Sequence, residues 1–161
     1  MGCNLSKNNL KQAVGANAAT EKKVLFLGID NAGKSTLLFQ MRDEQFKETV
    51  PTVGLNVESI KYRDHQLTLW DVSGSATRLW KHYFDKINAV IYVIDSADKE
   101  RLAKSKTYLY RVMQDKDLAA APILIMCNKN DLPGALTAEE IYVSLGLEKH
   151  LEHSEKKDII F

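Results

Sequence analysis

Cysteine is scarce: Cys3 and Cys127 are the two in 161 residues, and they lie at opposite ends of the chain. Such spacing offers neither a disulfide framework nor a metal-ligand set, and it fits a reducing, cytosolic environment. Long apolar runs are missing too. The longest, Leu118 to Cys127, is about half of the roughly 18 residues that a membrane-spanning helix requires. No secretory signal is expected ahead of the domain. Neither sign of charge is in excess: the formal net charge is +1, so bulk charge argues for no nucleic acid and no strongly acidic partner. With 3 prolines, 45% hydrophobic and 27% charged residues, the composition is that of one globular domain with a real core, expected as a monomer.

What the chain does contain is a phosphate-cradling pattern. Gly28-Ile29-Asp30-Asn31-Ala32-Gly33-Lys34-Ser35 matches G-x-x-x-x-G-K-[ST], in which backbone N–H groups face the phosphates, the lysine reaches the outer ones and the hydroxyl meets Mg²⁺. Its context supports the chemistry. The apolar run Val24 to Leu27 precedes it as a strand, and Thr36 to Met41 follows as a helix with Leu37, Leu38 and Met41 on one face. That order points the free N–H groups and positive end of the helix at the anion.

Further along, Lys47 to Gly54 reads as a polar loop. Asn56 to Tyr62 and Gln66 to Trp70 alternate apolar and polar residues around Arg63-Asp64-His65, a hairpin signal. Ala89 to Ile94 and Ile123 to Cys127 are buried-strand candidates, and Lys99 to Met113 between them has helical spacing. After Ile141 to Leu147 comes a charged stretch, Glu148 to Lys157, and Asp158 to Phe161 reads as a strand just beginning. Strands alternating with helices predict an α/β fold, a doubly wound, mostly parallel sheet with one antiparallel hairpin edge and ligand at the carboxyl ends of its strands.

Those ends carry the remaining polar groups. Asp71-Val72-Ser73-Gly74 is a D-x-x-G arrangement in which the carboxylate can hold the Mg²⁺ shell and the glycine backbone can approach a terminal phosphate. Asp95 is expected to cap the following helix. Asn128-Lys129-Asn130-Asp131 is the discriminating group: a carboxylate accepts from guanine N1–H and N2–H₂ together, and adenine offers no such pair. On its own this segment also reads as a polar turn before Pro133. His150 and His153 have i, i+3 spacing but read as part of a solvated, charged helix end rather than as metal ligands.

Taken in order, the three motifs resemble those of the P-loop NTPases called Ras-like small GTPases, and within them the ADP-ribosylation-factor (Arf) and Arf-like family. The likeness runs from Val24 to about Leu147 through Pro51 to Glu58, Trp70-Asp71-Val72 and Leu79 to Phe84. It implies a GTP-binding switch with GTP or GDP and Mg²⁺ as cofactors. Guanine nucleotide would lie against Gly28, Asp30, Asn31, Ala32, Gly33, Lys34, Ser35, Thr36, Thr52, Gly74, Asn128, Lys129 and Asp131. Ser35 and Thr52 would ligate the metal and Asp71 would hold it through water. Thr52 would release its loop on hydrolysis. Leu55, Trp70 and Tyr83 would belong to the effector surface, and exchange factors and GTPase-activating proteins would be partners. A P-loop kinase or ATPase is the alternative, disfavoured by Asp131.

Met1-Gly2-Cys3-Asn4-Leu5-Ser6 fits the N-myristoylation pattern, with Gly2 as acceptor and Cys3 beside it for palmitate. One acyl chain gives only marginal, reversible anchoring, so a second signal would be needed. The expectation is a lipidated tail over residues 1–22 ahead of a GTPase domain over 23–161. Such a chain would work in trafficking or signalling on the cytoplasmic face of Golgi, endosome or plasma membrane, cycling with the cytosol. Three departures from the family stand out. Residues 3–17 hold few bulky apolar side chains for an amphipathic helix. Ser75 stands where relatives carry a glutamine that orients the attacking water, in a shortened second switch, so hydrolysis is expected to be very slow and the chain could act as a GTP-locked scaffold. Relatives also continue past the final strand into a guanine-contacting loop and a helix, so the last strand and helix are expected to be incomplete here.

Overall fold

The computed structural model describes residues 20–43, 48–148 and 159–160. Among the described residues, six strands form one sheet: β1 (Thr20–Leu27), β2 (Leu55–Tyr62), β3 (His65–Val72), β4 (Ala89–Asp95), β5 (Ile123–Asn128) and β6 (Ile159–Ile160), in the order β2-β3-β1-β4-β5-β6. Only β2 and β3 pair antiparallel, from Leu55 opposite Val72 to Tyr62 opposite His65; the other pairings are parallel. The α/β fold with one antiparallel hairpin edge is therefore the one expected. β6 supplies the short last strand, pairing Ile159 with Ile123 and Ile160 with Leu124.

Alternation along β1 explains why both faces must be covered. Val24 and Phe26 pack on one side with Leu38 of α1 (Lys34–Asp43), Leu69 and Val93. Leu25 and Leu27 pack on the other with Leu109 and Val112 of α2 (Leu102–Gln114) and with Ile141 and Leu145 of α3 (Ala138–Leu145). A strand buried on both faces reads as a continuous apolar run, as Val24 to Leu27 does. Pointing opposite ways, those side chains draw helices onto both faces of the sheet.

Several boundaries differ from the sequence expectation. β1 starts at Thr20 because Glu21, Lys22 and Lys23 pair with Gln66, Leu67 and Thr68 of β3, a ladder that backbone groups make whatever the side chains are. α2 starts at Leu102 rather than Lys99, after a turn in which Asp98 accepts from the Arg101 backbone N–H. On α1, Leu38 is fully buried and Leu37 partly, but Met41 is 44% exposed, so the apolar face is narrower than three residues. Residues Thr77–Tyr83 form a 3₁₀ helix that buries Trp80, with Phe84 beyond it, and leaves Leu79 exposed.

Candidate functional site

Parallel strands deliver their carboxyl ends to one edge of the sheet, and four of them bring polar groups there. β1 runs into the 28–35 loop, β3 ends at Asp71 and Val72, β4 at Asp95, and β5 at Asn128. β1 pairs with β3 on one side and with β4 on the other, which makes its carboxyl end the crevice where open α/β sheets bind ligands. A cavity of about 760 Å³ opens there, lined by the 30–36 loop, by Thr52, by Ser73 to Ser75 and by Asn128, Lys129 and Asp131.

The phosphate loop is closed onto its neighbours. Gly33 has φ +92°, and a Cβ there would stand 2.2 Å from Asn128 Nδ2, so only glycine lets the loop pass this close. That amide nitrogen donates to the Ala32 carbonyl at 2.9 Å, tying the base-side segment to the phosphate loop. Lys34 is buried, its ammonium donating to the Ile29 carbonyl at 3.1 Å. Burial pushes its pKa below the ordinary lysine value, and the Asp71 and Asp30 carboxylates offset part of that. Thr36 Oγ1 lies 3.0 Å from Thr49 Oγ1, and Asn31 is exposed at the rim.

Three oxygens meet beside the loop. Ser35 Oγ donates to Asp71 Oδ2, Thr52 Oγ1 donates to the same oxygen at 2.9 Å, and the two hydroxyls are 2.7 Å apart. Asp71 is fully buried, and its other oxygen, Oδ1, has no hydrogen-bond partner among the described residues. A buried carboxylate with one orphaned oxygen, flanked by two hydroxyls, is a hard-oxygen donor set of the kind Mg²⁺ takes. These residues fit the ion.

Across the cavity, Lys129 has φ +59° and its ammonium pairs with Asp95 Oδ2 at 2.7 Å. Asp131 is exposed and lines the cavity, and no side-chain partner is found for it among the described residues. Asp95 does not cap α2: Oδ1 accepts from the Ala97 N–H at 3.0 Å and Oδ2 holds Lys129. The strand carries on through Asp95, and α2 begins too far downstream for the carboxylate to reach its first turn.

The model of the ADP-ribosylation factor family matches residues 8–160. The chain belongs to the Arf family. It therefore has the P-loop fold of a small GTPase, the fold of a GTP-binding switch. It is similar to the Arl6 (BBS3) small GTPase of Trypanosoma brucei, solved with a bound nucleotide analogue, GppNp. The two chains are 32% identical with a TM-score of 0.76, over 88% of this chain and 84% of that one.

Within this Arf-family chain the second switch has its own anchors. Gly74 is wedged against the phosphate loop, where a Cβ would lie 2.3 Å from the Asp30 nitrogen. The buried Trp80 donates from Nε1 to the Ser73 carbonyl at 3.0 Å, and the Ser73 N–H donates to the Gly54 carbonyl at 2.9 Å. Ser75 Oγ lies 3.0 Å from Ser73 Oγ, so this hydroxyl is engaged within its own loop. Leu55, Trp70 and Tyr83 are partly buried against the main core, with Trp70 and Tyr83 ring centroids 6.2 Å apart and Lys23 stacked 3.7 Å over Trp70. Gly2, Cys3, His150 and His153 lie outside the described residues. Sequence reading missed the Lys129–Asp95 pair, the Trp80 anchor and an Arg101–Asp30 ion pair of 2.8 Å, because each joins segments that no local pattern relates.

Proposed function

We propose that this chain is a guanine-nucleotide switch that engages effectors in its GTP form at a membrane surface and hydrolyses GTP very slowly. The observation that carries the guanine reading is the placement of Asp131, an exposed carboxylate without a partner among the described residues, across one cavity from the phosphate loop. Hydrogen bonds to a charged group are worth roughly 1.5–3 kcal/mol each, so two of them to guanine reject adenine strongly. Lys129, whose ammonium pairs with Asp95, is the side chain whose stem we assign to the base plane.

At the other end, Lys34 would bind the outer phosphates and the loop N–H groups the α- and β-phosphates, while Ser35 and Thr52 would ligate Mg²⁺ and Asp71 would hold it through water. The chemistry that a bound Mg²⁺ supplies is neutralisation of charge on the phosphate oxygens. Slow hydrolysis rests on Ser75, whose short side chain is directed to Ser73 and does not orient an attacking water. The same contact supports a second reading, a GTP-locked scaffold. Leu55, Trp70 and Tyr83 are the surface we assign to effectors, and Gly2 with Cys3 the lipid attachment that places the switch on membranes.

Competition among GTP, GDP and ATP for the purified chain tests the reading. Guanine nucleotides are expected to displace a fluorescent guanine probe while ATP does not; equal displacement by ATP overturns it. Single-turnover hydrolysis then separates switch from scaffold. S75Q is expected to raise a measurable basal rate, and a rate unmoved by S75Q removes Ser75 as the cause of slow turnover.

A further inference from the structure

The phosphate loop carries a negative charge of its own, and an arm from another element holds it. Asp30 lines the phosphate end of the cavity, and its backbone nitrogen is the atom closest to the Cβ position of Gly74, 2.3 Å away. Its carboxylate also lies in electrostatic range of Lys34. Arg101, at the start of α2, binds Asp30 Oδ2 through Nη1 at 2.8 Å and Asp98 Oδ2 through Nε at 2.5 Å. Asp98 further accepts from the Arg101 backbone N–H at 3.2 Å, so the arm is fixed at both its root and its guanidinium before it reaches 71 residues back to the loop. Lys104 stands 3.8 Å from Asp30 Oδ1 as a second, looser cation.

We propose that Arg101 is a positioning residue that sets the pocket's preference for triphosphate over diphosphate, by neutralising the Asp30 carboxylate and holding it turned away from the outermost phosphate. The proposal rests on the guanine-nucleotide reading of the cavity. Asp30 is 45% exposed and Arg101 31%, and an ion pair so exposed adds little to folding stability. Its consequence lies in where it puts a charge. A released carboxylate competes for Lys34 and repels the extra negative charge that a triphosphate brings. Burial works to raise the Asp30 pKa, but the Arg101 hydrogen bond and charge, a backbone hydrogen bond and the Lys104 charge more than offset it, so the net shift is downward.

The test compares dissociation constants for GDP and for a non-hydrolysable GTP analogue on the full chain and on R101Q, R101K, D30N, D30N/R101Q and D30N/R101K. R101Q is expected to weaken the GTP analogue about tenfold and GDP about twofold, the difference being the Coulomb effect of one released charge on the outer phosphate. In the D30N background the same R101Q change moves the GTP-to-GDP ratio by less than about twofold, since the charge it positions is gone. Lysine keeps the positive charge but lacks the planar fork whose separate nitrogens hold Asp30 and Asp98. R101K therefore loses about threefold in GTP preference when Asp30 is present and none in the D30N background, which carries the test if R101Q folds poorly. Equal losses for the two nucleotides, or an undiminished R101Q effect in D30N, overturn the proposal while leaving guanine binding intact. A wild-type chain that binds no guanine nucleotide overturns both.

Discussion

The two walls of the cavity are built on opposite principles. The wall assigned to the phosphates is satisfied by protein except at Asp71 Oδ1: Lys34 binds the Ile29 carbonyl, Ser35 and Thr52 bind Asp71 Oδ2, and Gly74 abuts the loop backbone. On the base wall, Asp131 faces the cavity with no partner among the described residues, although Lys129 beside it is held by Asp95. The difference teaches which substitutions separate binding from stability. A group bound by protein contributes to the fold whether or not ligand is present; a group left open contributes only when ligand arrives.

Asp131 is therefore where the comparison breaks most visibly. Losing two charge-assisted hydrogen bonds, at roughly 1.5–3 kcal/mol each, means that D131A is expected to weaken GTP and GDP by at least about a hundredfold. The exposed side chain has no folding role, so melting of the nucleotide-free chain is expected to move by under about 2 °C. Fluorescent-nucleotide titration beside thermal unfolding checks both. Guanine affinity within about threefold of wild type would remove Asp131 from the base site.

Gly74 sharpens the comparison from the other wall, because it both lines the cavity and abuts the loop backbone. A Cβ 2.3 Å from the Asp30 nitrogen has no flexible neighbour to displace, so G74A must move either the switch or the loop. The expected cost is about 1–3 kcal/mol in chemical denaturation of the nucleotide-free chain, as for other overpacked sites. GTP-analogue affinity is expected to fall more than GDP affinity, since the proposed reading puts this glycine at the outer-phosphate end. Unchanged denaturation would mean that the wedge relaxes freely.

How much of this was legible before the structure differs between the walls as well. Both segments proposed for recognition lie in contiguous stretches with fixed spacing, so Gly28 to Ser35 and Asn128 to Asp131 stood out as candidates in the sequence, and the order of strands and helices followed from apolar periodicity. The supports of those segments were not. Asp95 holds Lys129, Trp80 holds the Ser73 carbonyl, and Arg101 holds Asp30, each a contact between separate elements that only the closed sheet creates. Asp95 shows the cause of a miss well: an aspartate closing a strand has two common uses, a helix cap or a turn, and the α2 start at Leu102 decides between them. Lys22 and Lys23 likewise concealed the first half of β1, because backbone pairing leaves no mark on side-chain pattern.

The smallest expected effect lies at Lys129, where support and recognition coincide. Asp95 has a side-chain exposure of 6%, and apart from the lysine its carboxylate has the Ala97 N–H as partner. Breaking a buried pair by removing one member costs several kcal/mol, but the Lys129 side chain is 26% exposed and water can reach the vacated position, so K129M is expected to lose about 1–2 kcal/mol in denaturant unfolding. Methionine keeps an apolar stem beside the base, which limits the loss of guanine affinity to about threefold to tenfold, well short of D131A. The double variant D95N/K129M separates the two roles. Neutralising Asp95 removes the buried charge, so stability is expected to recover by at least half while nucleotide affinity stays at the K129M level. Recovery of both together would mean that Lys129 acts on the nucleotide only through Asp95, and the base wall would then reduce to Asn128 and Asp131.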